Sequence, residues 1–152
     1  MKNSFLFILL ISLISASSIA QKPKQLLGKW QFAKIVYKGE TIDKNNPETS
    51  KKALFKMMHD ADPSTTEDQV ESSFALMLMV FDMMTYEFQT KGIVKVAGTK
   101  GTYTLKKNLL TIKTEGSDEE TKLNIQFKDN YLLMGSADAK DQGDMYFTKA
   151  DK

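Results

Sequence analysis

Hydrophobic and polar positions alternate with period two over most of residues 28–149, and one central block breaks the alternation. "KWQFAKIVYKG" opens the pattern as a long first strand whose phase changes: Trp30 and Phe32 share one face, whereas Ala33, Ile35 and Tyr37 share the other. A bulge or sharp bend near Phe32 reconciles the two halves. After the loop "GETIDKNNPE" and the central block, seven short strands follow: "TYEFQ", "IVKVA", "GTYTLK", "LLTIKT", "TKLNIQFK", "YLLMGS" and "DMYFTK". Each is separated from the next by glycine, asparagine or aspartate, the residues tight turns favour. In "KLNIQF" the pattern is clearest, with Leu123, Ile125 and Phe127 facing one way. Eight antiparallel strands in sequence order predict an up-and-down barrel just wide enough to be filled by side chains or to hold one small ligand. An open two-sheet sandwich is the alternative.

The central block, about residues 48–84, has helical spacing, so the fold class is all-β with a helical insertion: two helices between strands 1 and 2. In "TSKKALFKMMHDAD", Leu54, Met57 and Met58 lie on one helix face and Pro63 falls beyond the end. "STTEDQVESSFALMLMVFDMM" offers Ser64 or Thr65 as N-cap, acidic residues in the first turn, and a stripe of Val70, Phe74, Met77, Leu78 and Phe81. From Phe74 to Met84 ten of eleven residues are hydrophobic and four are methionine, more than one buried face requires. Exposing all ten would cost on the order of 15 kcal/mol as an upper bound, too much for a marginally stable domain. The second helix is therefore expected to lie against or inside the barrel mouth, or against a partner. Its apolar run is too short to span a bilayer.

The amino terminus reads as a signal peptide over residues 1–20. "MKN" supplies a positive charge, "SFLFILLISLI" an apolar core, and Ser18 and Ala20 the small residues a signal peptidase reads. Cleavage after Ala20 leaves residues 21–152 as one domain, secreted or periplasmic, with no membrane span in the mature chain. The sequence has no cysteine, which excludes thiol chemistry, thiolate metal sites, a disulfide scaffold and a lipidated amino-terminal cysteine. Without Lys2 the formal charge is +1, and there is no arginine, so nothing points to nucleic acid.

Gly28 and Trp30 in "LLGKW", at the start of the first strand and after a signal peptide, resemble the Gly-x-Trp signature of lipocalins and the wider calycin group. "TYEFQTKGIVKVAGTKGTYTLKKNLLTI" looks like the hairpin of bacterial lipocalin-like domains, particularly secreted ones of Bacteroidetes type. The resemblance covers most of residues 25–150, and the helix pair is similar to the portal of fatty-acid-binding proteins. It implies a barrel with a tendency to bind apolar small molecules. Two departures matter. Lipocalins pack an arginine from the last strand across the signature tryptophan, and here Lys149 is the substitute. The arginine-based carboxylate site of fatty-acid-binding proteins has no counterpart in this chain.

Each candidate residue carries a structural reading beside the functional one. Trp30 and Gly28 read as barrel architecture. The methionines Met57, Met58, Met77, Met79, Met83 and Met84 suit an adaptable ligand lining or a helix pair packed on the core. They show no regular copper-binding repeat. His59, the single histidine, reads as solvent-facing near a helix C-terminus, and no nucleophile or orienting acid accompanies it. Asp138, Asp141 and Asp144 lack the spacing of a dedicated calcium loop, so no metal and no cofactor is expected. Glu87 and Lys95 would orient a ligand if they faced inward. The leading expectation is a non-enzymatic, lipocalin-like protein that takes a small hydrophobic molecule into its barrel. Its lining would be Phe74, Met77, Leu78, Phe81, Tyr86, Phe88, Tyr103 and Ile125, with the second helix as lid. The alternative is an envelope protein-interaction or inhibitor module with a filled barrel, whose helix pair docks a protein partner.

Overall fold

The computed structural model describes residues 23–137 and 143–150; the segment read as a signal peptide, residues 1–20, and the Asp138 and Asp141 positions lie outside the described residues. A short helix α1 (Pro23–Leu26) leads into β1 (Gly28–Tyr37) and β2 (Glu40–Asp43). The helix pair follows as α2 (Pro47–Ala61) and α3 (Glu67–Met83). Then come β3 (Thr85–Phe88), a 3-10 turn (Thr90–Gly92), β4 (Ile93–Val96), β5 (Thr99–Lys106) and β6 (Leu109–Thr114). The remaining strands are β7 (Thr121–Lys128), β8 (Tyr131–Ser136) and β9 (Asp144–Lys149). Antiparallel pairing runs from β3 through β9 in sequence order, and β1 pairs with both β3 and β9. These eight strands form a closed ring, which leaves no room for the open-sandwich alternative.

One strand escaped the sequence reading. "ETID", inside the segment read as loop, is the short β2, a ninth strand hydrogen-bonded to the far half of β1. The helix pair therefore follows the second strand rather than the first. β1 serves two neighbours along one edge: Gly28–Gln31 pair with β3, and Lys34–Tyr37 pair with β2. The switch falls at the expected bulge, where the register with β9 slips between Phe32 and Lys34. There the Phe32 N–H donates to the Met84 carbonyl (3.1 Å) and the Lys44 N–H donates to the Ala33 carbonyl (3.2 Å). The extra residue lets Phe32 and Ala33 both be buried, and it puts Ile35 on the inner face opposite Met145.

Local chemistry sets the helix ends. Pro47 opens α2, where a missing N–H and a fixed φ are tolerated, and the helix begins earlier than residue 49. The buried Ser50 hydroxyl donates to the Asp43 carbonyl and accepts from the Asp43 N–H, both at 2.8 Å, tying α2 to β2. The N-cap of α3 is Thr66, not Ser64 or Thr65. Thr66 and Gln69 form a reciprocal capping box, whereas Ser64 and Thr65 bond back to Asp62 in the turn before it.

At the Gly28 end, Trp30 is buried and its indole N–H donates to the Leu26 carbonyl at 2.8 Å. The Lys149 ammonium lies 5.4 Å from the centre of the Trp30 ring, occupying the place the resemblance assigns to an arginine. Gly28 has φ +116°, a conformation that side-chain-bearing residues rarely adopt. A side chain there would meet nothing closer than Lys149 Cε at 3.8 Å, so backbone conformation rather than crowding explains the glycine. Lys149→Ala is expected to lower stability by about 0.5–1 kcal/mol, the scale of an exposed cation–π contact. Lys149→Arg should keep or raise the urea midpoint, because guanidinium stacks on an indole face at least as well as ammonium.

Candidate functional site

The interior of the ring is built from alternate residues of every strand, and it is occupied. Phe32, Phe88, Leu110, Ile125, Leu132, Met134 and Phe147 are each fully buried. A continuous chain of rings runs through it. Phe81 of α3 stacks on Phe32 with centroids 4.0 Å apart, and Phe32 meets Phe147 edge-on at 5.7 Å. Phe147 meets Tyr86 at 5.3 Å, Tyr86 stacks beside Phe88 at 5.9 Å, and Phe88 meets Tyr103 edge-on at 5.1 Å. Such contacts add about 0.5–1.5 kcal/mol each beyond the area they bury.

All eight expected lining residues fall in this one apolar cluster. Phe74, Phe81, Phe88 and Ile125 are buried in it, and Met77, Leu78, Tyr86 and Tyr103 pack against it. The two tyrosines differ in their polar ends. Tyr103 donates to the Gln89 carbonyl at 3.3 Å, whereas the Tyr86 hydroxyl has no hydrogen-bond partner among the described residues. Burial pushes both phenols above the ordinary tyrosine range. The neutral form is thus the one the fold favours. Its contribution is fully present below the unfolded tyrosine pKa, about 10, and is lost as pH rises through the higher folded value. Urea midpoints measured at pH 8 and pH 11 should fall less in Tyr86→Phe than in the parent protein.

Glu87 and Lys95 do not enter the barrel. They sit between inward-facing neighbours and so point outward, opposite one another on β3 and β4, with Lys95 Nζ 3.4 Å from Glu87 Oε2. The Gln89 amide donates to Glu87 at 2.6 Å and, with Lys95, holds its carboxyl below the usual range. Solvent screens such a pair, and it adds little stability. His59 is exposed in the last turn of α2 and stacks on Phe55 at 5.4 Å; among the described residues it makes no hydrogen bond or ion pair, and the Asp62 carboxylate is within electrostatic reach.

The largest difference from the sequence reading concerns α3. Val70, Phe74 and Phe81 are buried toward the ring and α2. On the opposite side, Leu76, Met79, Val80 and Met83 are 65%, 66%, 54% and 68% exposed. Their spacing of i, i+3, i+4 and i+7 makes one continuous stripe. The expectation that this helix is shielded all round is overturned. It packs through one face only, and the cost of the other is far below the upper bound because four large side chains rather than ten face water. Asp82, the single charged residue of the apolar run, pairs with Lys44 at 3.5 Å, and Glu71 pairs with Lys51 of α2 at 2.7 Å. Both carboxylates border the stripe on its α2 side, and they were the available sign of where the buried face ends. Among the described residues no helix is long and apolar enough to cross a membrane, and no group of histidines and carboxylates has the arrangement of a metal site.

No curated protein and no solved structure matches the chain. A family model described as "Domain of unknown function (DUF5004)" matches residues 14–131, from before α1 to the first residue of β8. That match spans more than three quarters of the sequence and most of a closed antiparallel ring of lipocalin-like form, so the chain belongs to the DUF5004 family.

Proposed function

We propose that the protein is a secreted or periplasmic, lipocalin-like binding module without catalytic activity, and that it engages a protein partner through the outward face of α3. One contrast carries the reading: inward-facing side chains fill the ring, while the apolar stripe Leu76, Met79, Val80 and Met83 faces water. An exposed patch of this kind, bounded by charge, is the usual mark of an interaction surface. Secretion is supported by the apolar amino-terminal segment with its small-residue end, and the Bacteroidetes-type resemblance suggests the cell envelope as the setting.

Met79 replaced by a photo-crosslinking residue in the source cell should yield one dominant protein adduct, and Leu76→Glu on the same background should abolish it. A crosslinker at exposed Lys107, on the turn between β5 and β6, should give none. Equal adducts at both positions, or none at Met79, would sink the proposal. Met79→Glu and Met83→Glu are expected to change stability by no more than about 0.5 kcal/mol, as exposed substitutions do, while lowering the binding of an apolar dye.

The Tyr86 hydroxyl favours a second reading, in which a small hydrophobic molecule enters between α3 and the ring and supplies that group's missing partner. Phe74, Met77, Leu78 and Phe81 would then move as a lid. Native mass spectrometry of protein taken from its own source, followed by organic extraction, separates the readings. A retained apolar compound that Phe81→Ala releases supports the lid, and its absence leaves the outer face of α3.

A further inference from the structure

Strand register places two rows of outward-facing residues across β1, β9, β8 and β7, on the outside of the ring and apart from α3. One row is Lys34, Tyr146, Leu133 and Gln126, and the next is Val36, Asp144, Gly135 and Asn124. Over the second row and the adjoining Leu133 and Gln126 lies an open groove of about 840 Å³, walled by Tyr37 at the end of β1, Lys38 of the β1–β2 turn and Asn108 of the β5–β6 turn. That volume is within the range of small-molecule sites.

Gly135 makes the notch between Asn124 and Asp144. Its backbone is ordinary strand, and a Cβ there would meet only Asp144 Oδ1, at an unstrained 3.5 Å. Neither conformation nor crowding requires the glycine; what a side chain would do is fill the groove. The side chains of Asn108, Asn124, Gln126 and Asp144 form no hydrogen bond or ion pair among the described residues. Three neutral amides, each both donor and acceptor, thus face a floor whose apolar parts are Val36 and Leu133.

We infer that this groove binds a neutral oligosaccharide, independently of the partner proposed for α3. Amides match hydroxyl groups, which also donate and accept, and aliphatic or tyrosine surface matches the C–H faces of sugar rings. Among the described residues one lysine, Lys38, and one carboxylate, Asp144, border the groove, and their charges offset, so they select neither an anion nor a cation. A peptide strand is disfavoured because β8 lies between β7 and β9, and the far half of β1 between β9 and β2, so the groove lies over the interior of the sheet and not along a free edge.

The test is a microarray of neutral and acidic glycans, followed by calorimetric titration with the best neutral oligosaccharide. Binding should weaken by about tenfold in Asn124→Ala or Gln126→Ala, the loss expected for one or two hydrogen bonds. It should vanish in Gly135→Leu, with circular dichroism reporting the fold of each variant. If Gly135→Leu fails to fold, the two exposed amide variants decide the matter. Absence of any neutral glycan among the hits, preference for acidic glycans, or binding indifferent to the amide substitutions overturns the inference.

Discussion

Phe32→Ala is expected to lower the free energy of unfolding by about 3–5 kcal/mol, the range for deleting a buried aromatic ring. Phe32 sits at the β1 bulge, stacked on Phe81 and in edge contact with Phe147, so its ring joins α3 to both strands that close the barrel. Removing it leaves a void with Phe81 on one side and Phe147 on the other, and the bulge backbone, tied to Met84 and Lys44, restricts collapse into it. A domain of this size has roughly 5–15 kcal/mol in all. Equilibrium urea unfolding followed by tryptophan fluorescence should show a much lower midpoint with an unchanged slope. Phe32→Leu should recover more than half of the loss. A Phe32→Ala midpoint within error of the parent would show that the α3–barrel junction does not support the fold.

Gly101→Val should also be damaging, by the opposite mechanism. Gly101 faces Thr114 across β5 and β6 with an ordinary negative φ, so its conformation suits any residue. Space is the obstacle: a Cβ would lie 2.9 Å from Thr114 Cα and closer still to the Lys113 carbonyl oxygen, both rigid backbone atoms. Overpacking of this kind typically costs about 1–3 kcal/mol, and here the strands themselves must part. Thermal unfolding by circular dichroism should show the loss for Gly101→Ala as well, with Val worse than Ala. Gly98, whose Cβ would meet nothing, is not a matched control because its φ of +85° strains any substituent. Thr102→Val, exposed on the same strand, is the better comparison and should be close to neutral.

Much of this architecture is readable from alternation alone. Seven carboxy-terminal strands and the bulged first strand follow from period two, because each strand has one face in the core and one in water. β2 was hidden because only Ile42 of its four residues is buried, which is too little pattern to detect. The inward placement imagined for Glu87 and Lys95 was open to correction by parity, since Tyr86 and Phe88 on either side of Glu87 already point in. α3 misled for a different reason. A run apolar on every face carries no phase, so the buried side is fixed only by what it packs on, Phe32 and the ring. The eight residues expected as a lining all join the apolar cluster because large apolar side chains dominate the inner face, but sequence does not distinguish packing from ligand contact. The outer row of Asn124, Gly135 and Asp144 is invisible without register, since its members come from three strands and adjoin only once those strands pair.

Closure by β1 against β9 also constrains how the chain reaches this state. Trp30 lies opposite Lys149, so the two ends of the described fold must find each other before the ring is complete. Such distant pairings carry a loop-closure cost and slow the search. The α2–α3 hairpin, whose contacts are local, is free to form before the later strands have paired. Until the final strand arrives, β1 presents one unpaired edge, and a chain halted there would be prone to pairing with a neighbour of its own kind.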